Sequence, residues 1–235
     1  MDVENVLFYN VGPQYFSKLY PSVIIFERRF AHPPAPPDGQ PTKYHHFHHY
    51  SIETGDVNRS FSHWRPTRTL ARFTFPLGNH ALNAIRLEHV WYGLKNGQIQ
   101  IVDRPTPGEL RSNRFGLRLF VKSIKEVKAD LPQLTKILID GVVCAFQKDE
   151  SVDDSIAKVI SVRVNQDISK IQELLKRDYD GILGSDRLVH AWGNSIQWNP
   201  KDDGLVAAKL VSSEGSDALQ VSGELFFVEP VNSAN

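Results

Sequence analysis

Cysteine and methionine are nearly missing from this chain, with one of each in 235 residues. A lone thiol, Cys144, forms no intrachain disulfide and no Cys-based metal cluster. It sits in the apolar run Val142-Val143-Cys144-Ala145-Phe146 and reads as a small core hydrophobe. No apolar run approaches the ~18 residues that a membrane helix needs. The start, Met1-Asp2-Val3-Glu4-Asn5, lacks the basic-then-apolar layout of a signal peptide. A cytoplasmic protein with no membrane partner is therefore expected. There is no phosphate loop, dinucleotide fingerprint, nucleophile elbow or kinase motif set. Net charge is absent too: 27 basic residues balance 27 acidic ones. The total excludes a uniformly basic chain but says nothing of charge arranged by region. Residues 1–128 hold 17 basic and 10 acidic side chains, a net of +7, and residues 129–235 carry the opposite −7.

What is present suits one large domain or two small ones, long enough to bury a core without staples. Short apolar pieces at Val6–Tyr9 and Ser22–Phe26 read as strands, with a helical turn between them at Pro13–Tyr20. Five prolines and a glycine over residues 31–43 make a stiff loop, and the chain stays poor in aliphatics to about residue 66. We read residues 1–66 as N-terminal strands plus a proline/histidine-rich arm, and residues 67–235 as the core domain. Leu70–Phe75 alternates as a strand. The alternation through Ile85, Leu87, His89 and Trp91, then Asn96-Gly97 and Ile99–Val102, predicts a β-hairpin. Phe115–Val121 is a strand with Phe115, Leu117, Leu119 and Val121 on one face. Leu131, Leu134, Leu138, Val142 and Ala145 recur at helical spacing behind Asp130, a suitable N-cap, with Gly141 a mild cost inside that helix. Ala157–Val164 alternates as a strand, Ile168–Tyr179 is a second helix, and Leu205–Val211 and Ala218–Val228 are final antiparallel strands. The order predicts an α+β fold: a mixed, mostly antiparallel sheet with two main helices on one face.

Five groups of residues carry possible chemistry. His45, His46, His48 and His49 can take Zn or Ni, or form only an exposed, opportunistic tract. Arg59, Arg65, Arg68, Arg72 and Arg86 lie in an acid-free stretch interleaved with Phe61, His63 and Trp64, suited to phosphates and unpaired bases, or simply a solvated loop. Arg114, Arg118 and Lys122 share the polar face of the 115–121 strand, a phosphate-tracking surface or an ordinary solvent face. Asp130, Asp140, Asp149, Glu150, Asp153 and Asp154 surround the 131–146 helix with Lys136. Hard oxygen ligands beside a basic strand suit Mg-dependent phosphodiester cleavage, and the same residues serve equally as a cap, a surface pair and an acidic turn. Trp192 and Trp198 lie in a Gly/Asn/Pro segment and either stack on bases or cover the core.

The stretch 114–164 resembles the RusA-like Holliday-junction resolvases. The parts that carry the likeness are the strand Phe115–Val121, the basic segment Lys122–Lys128, Asp130 opening a helix with Lys136 and Asp140, and the acidic turn Asp149-Glu150-Ser151-Val152. Pro132 stands where that family has its second motif Asp, and Gln133 where it has Asn. The resemblance implies Mg held by Asp130 with Asp149 or Glu150, and a catalytic Lys136; Asp140, on the same helix, is a further candidate catalytic residue. The expectation is a nucleic-acid-binding protein: an endonuclease of structured DNA or an inactive descendant, with DNA as partner and a homodimer left open. The nucleic acid would meet Arg59, Arg65, Arg68, Arg72, Arg114, Arg118, Lys122, Trp64, Trp192 and Trp198, with Arg114, Arg118 and Lys122 positioning phosphates. The alternative is a non-catalytic protein that acts through a partner protein.

Overall fold

A computed structural model describes residues 22–31, 47–78, 82–124, 130–150, 153–177, 181–193 and 195–231. The strand expected at Val6–Tyr9, the turn at Pro13–Tyr20, most of the proline-rich stretch, and His45 and His46 lie outside the described residues. Eleven strands and five helices are described: β1 (Val23–Ala31), β2 (Phe47–Thr54), β3 (Trp64–Gly78), α1 (Leu87–Lys95), β4 (Gln98–Ile101), α2 (Pro107–Ser112), β5 (Arg114–Ile124), α3 (Leu131–Ala145), β6 (Lys148–Asp149), α4 (Asp154–Val164), α5 (Ile168–Lys176), β7 (Ser185–Asp186), β8 (Val189–Trp192), β9 (Ser195–Trp198), β10 (Leu205–Ser216) and β11 (Leu219–Pro230).

Seven strands form one sheet in the order β2-β1-β10-β5-β11-β3-β4. Only β10 and β5 run parallel; every other neighbouring pair is antiparallel. A parallel pair needs a crossover, and α3 to β9 supply it. The strands β10 and β11 follow each other in sequence yet flank β5, so their connection passes over the end of β5, where Ser216 pairs with Ile124 and Gln220 with Lys122. The class is α+β, as expected.

The main core lies under one face of the sheet. There Ile24, Phe26, Phe73, Phe75, Leu117, Leu119, Val121, Leu210, Val221 and Leu225 meet Trp91, Leu94, Leu134, Leu138, Val142, Ile160, Ile171 and Leu174 of the helices. A smaller cluster forms on the opposite, outer face, where Phe61 and Trp64 pack on Val23, Ile25, Val206, Val211, Phe226 and Val228. Segment 55–63 thus straps half of the outer face, held by buried Glu27 and Lys209. Glu27 accepts from the backbone N–H groups of Ser62 and His63, both at 2.8 Å. Lys209 Nζ donates to the carbonyls of Val57 and Arg59 at 2.6 and 2.7 Å.

Four expectations change. Residues 47–54 are an edge strand paired with β1, and residue 66 falls within β3, so the arm residues that are described belong to the same sheet as the core. The hairpin expected from residue 85 is a helix, α1, followed by β4. Leu87, Val90, Trp91 and Leu94 also match helical spacing, and a tertiary face against α3 decides between the two periods. Ala157–Val164 is helical for the same reason: Asp153 accepts from Ser155 N–H at 2.7 Å, Ile156, Ala157 and Ile160 turn inward, and Asn165 in the left-handed region ends α4. Gly141 is a close-packing requirement, because a Cβ there would lie 2.6 Å from Val90 Cβ. The helix after Asp130 is found as expected, as is the burial of Cys144. No helix of the described residues is long and apolar enough to cross a membrane.

Candidate functional site

The unstrapped part of the outer face is the surface that concentrates the predicted basic residues. Strand alternation sends Leu117, Leu119 and Val121 into the core and leaves Arg118, Phe120 and Lys122 outside. Pairing then lines up rows across the sheet. One row runs Glu53, Ile25, Lys209, Arg118, Glu224, Arg72 and Gln100. The next carries Val23, Val211, Phe120, Ser222, Thr74 and Gln98. Phe120 is 44% exposed on this otherwise polar surface. Arg118 pairs with Glu224 and lies over the Phe226 ring at 5.4 Å. Arg72 and Lys122 are exposed and form no ion pair among the described residues. From Arg118 to Lys122, and from β5 to β3, the patch measures roughly 14 by 10 Å. Gln98, Gln100 and Thr74 line a shallow depression beside Arg72.

Several predicted residues have other work. Arg59 pairs with Glu53 at 2.5 Å, Arg65 pairs with Glu229, and Arg68 bridges Asp103 at 2.9 Å and Glu109 at 2.7 Å. Arg114 stands on the same face of β5, opposite Val228, with a partner of its own. Trp64 is buried in the outer cluster and donates its indole N–H to the Arg28 carbonyl at 2.8 Å, so its faces are not open to a base. Trp198 is half-buried against Trp91, with ring centroids 5.6 Å apart, and covers the core. Trp192 is 71% exposed, but on the β8–β9 hairpin with the helical layer.

The predicted carboxylates divide. Asp130 caps the start of α3, accepting from Gln133 N–H at 3.4 Å. Asp149 is buried on β6, beyond the other end of that helix, and Glu150 next to it accepts from Ser185 at 2.7 Å. The fifteen-residue helix between them is about 22 Å long, so these three are not brought together. Among the described residues, no group of three or more His, Cys, Asp or Glu side chains is placed to hold a metal ion. Lys136 and Asp140 do come together, at 2.8 Å. They open into a cleft of about 490 Å³ with Gln197, Trp198, Asn199, Lys201, Asp202 and Asp203. Asp140 and Asp202 are both buried there. The Cys144 thiol is pushed well up, first by burial and then by the charge of Asp140.

The sheet lies between this cleft and the basic patch. The helix α3 packs on the core face of the sheet, against β10 and β1, whereas Arg118 and Lys122 occupy the outer face. The two halves of the expected nuclease site are therefore not one site. Sequence reasoning missed Phe120, Gln98, Gln100 and Asp202. Phe120 had a signal, an aromatic at an outward position between Arg118 and Lys122; Asp202 had none, since only the fold carries it back to α3.

The fold and patch together define a class, a mixed-sheet α+β protein with an open polar sheet face. No protein-family model matches the chain, and no curated protein or solved structure matches it.

Proposed function

We propose that the protein binds nucleic acid non-catalytically on the open outer face of its sheet. The observation that carries this reading is exposed Phe120 on the central strand β5, flanked by Arg118, Lys122 and Arg72 with one carboxylate, Glu224, among them. An open sheet face that offers an aromatic ring and cations suits unpaired bases and their phosphates. A duplex would hide the base faces that Phe120 can stack on. The test is fluorescence anisotropy with a labelled single-stranded oligonucleotide at several salt concentrations. Stacking on an aromatic contributes about 1–3 kcal/mol per base, so Phe120→Ala should weaken binding roughly 5- to 150-fold. Lys122→Ala and Arg72→Ala should each flatten the salt slope by about 0.7. Arg65→Ala, which removes an exposed guanidinium already paired with Glu229, serves as the control. Salt-independent binding, or binding indifferent to all three patch variants, would refute the proposal.

A second reading keeps hydrolysis and places it in the cleft. It is favoured by the Lys136–Asp140 pair, both candidate catalytic residues, sharing one cleft with buried Asp202. Mg-dependent nicking of branched DNA that is lost in Asp140→Asn supports it; equal nicking in both proteins, or none, removes it.

A further inference from the structure

The histidine-rich tract was readable in the sequence, but its relation to the rest of the fold was not. The strand β2 places His49 opposite Arg29, on the outer face of the sheet edge. Segment 55–63 crosses that same face and ends at His63. The two imidazoles, fourteen positions apart in sequence, stand with ring centroids 6.3 Å apart and planes at 87°. The backbone of His63 is fixed from both sides. Its N–H donates to Glu27 Oε1 at 2.8 Å, and its carbonyl accepts from Val231 N–H at 2.9 Å. Buried Glu27 thus acts as a positioning residue for His63. His49 is held by the β1–β2 ladder.

From this juxtaposition we infer that His49 and His63 form a two-imidazole site for a borderline divalent transition metal of the zinc or nickel class. Metal–nitrogen bonds of about 2.0–2.1 Å put the centroids of two imidazoles roughly 5 Å apart at a tetrahedral ion and about 6.4 Å apart across a linear one. The observed 6.3 Å is about 1 Å beyond the tetrahedral value, a gap that rotation about the two side-chain torsions of each histidine closes. Imidazole nitrogens with no carboxylate or thiolate in the pair suit zinc, nickel or copper and disfavour magnesium or calcium. The fold converts one end of a flexible-looking tract into a fixed chelate by supplying a ligand from outside it.

The test is a calorimetric titration of the full chain with ZnCl2, repeated with NiCl2, beside thermal melts with and without metal. Melts without metal establish that each variant folds. Wild type should show a saturable step and a metal-dependent rise in melting temperature. His63→Ala and His49→Ala should each weaken that step at least tenfold, and His63→Gln should do the same while keeping a side chain of similar reach. A variant carrying His45→Ala and His46→Ala should retain the step. A His63→Ala protein that binds like wild type would show that the tract alone takes the metal, and overturns the inference. So does a wild-type chain with no saturable step.

Discussion

Replacing Gly141 with alanine sets helix propensity against packing and decides between two readings of residues 85–94. In an unencumbered helix interior the change should stabilise the protein, because alanine is favoured over glycine by about 0.8–1.0 kcal/mol. Here the added Cβ would lie 2.6 Å from Val90 Cβ, 2.7 Å from its Cγ1 and 3.2 Å from the Leu87 carbonyl. These are backbone-proximal atoms of a second helix and cannot rotate away, so α1 and α3 must separate by about 1 Å. Overpacking of this kind costs about 1–3 kcal/mol. Set against the propensity gain, Gly141→Ala should destabilise by about 0–2 kcal/mol, a fall in melting temperature of up to roughly 8 °C for a chain of this size. Urea denaturation gives the free energy directly. In a Val90→Gly background both contacts with Val90 are gone and only the 3.2 Å approach to the Leu87 carbonyl remains, so the same substitution should stabilise by up to about 1 kcal/mol. A Gly141→Ala protein more stable than wild type would refute the α1–α3 contact, and with it the helical assignment of Leu87–Lys95.

The strap over the outer face depends on two buried charges. Glu27→Gln weakens the acceptor for two backbone N–H groups and should cost about 1–3 kcal/mol by urea denaturation; an unchanged midpoint would mean that the strap is not part of the cooperative unit. The Lys209 amine is pushed below its ordinary value of 10.5, first by burial and then by the Arg118 cation. Between that lowered value and 10.5 the unfolded chain binds more protons, so the stability of wild type relative to Lys209→Met should rise with pH across this window. Glu109 is held below 4.5, first by the Thr106 backbone N–H and then by Arg68. Its contribution is present above about pH 4.5 and lost as pH falls through its folded value, so the difference between wild type and Glu109→Gln in urea melts should vanish in acid. Among the four tryptophans, Trp192 alone is largely exposed, so Trp192→Phe should remove most iodide quenching of the fluorescence; quenching left intact would place that ring elsewhere.

The parts legible in the sequence are those whose pattern fits only one period. β5 alternates cleanly from Phe115 to Val121, and α3 repeats Leu131, Leu134, Leu138 and Val142 behind an N-cap, so both stand where they were expected. The segments Leu87–Lys95 and Asp154–Val164 fit both periods over a short span. Which one wins depends on tertiary partners: Gly141, distant in sequence, for the first, and the neighbouring helix α5 (Ile171 and Leu174) with the main core for the second. The strand β2 was hidden because its histidines and Tyr50 lack an aliphatic signature, and its pairing with β1 is long-range. Strand order was hidden for the same reason. Nothing local to residues 205–230 says that β5, some ninety residues earlier, lies between β10 and β11. At the candidate site, the face of Arg118 and Lys122 was readable from alternation, while the neighbours that give the face its meaning, Arg72 and Glu224, come from other strands.

The neutral total charge takes a definite form in the fold. Arg118–Glu224 and Arg65–Glu229 tie the basic half to the acidic half, and Arg163–Glu88 does so in the reverse sense at 2.8 Å. Arg59 and Arg68 are engaged by acids of their own half. The two forward pairs offset two of the seven charges and the reverse pair returns one, while the pairs within the basic half leave its net charge unchanged and only engage individual arginines. Among the described residues of the unstrapped part of the outer face, the cations left for a polyanion are few: Arg72, Lys122 and, shared with Glu224, Arg118. That number limits the salt response. With two to three phosphates engaged at about −0.7 each, the slope of log K against log salt should lie near −1.4 to −2.1. Affinity should then fall about 7- to 18-fold between 50 and 200 mM salt. A slope steeper than about −4 would require cations outside this patch and would move the binding surface away from the open face of the sheet.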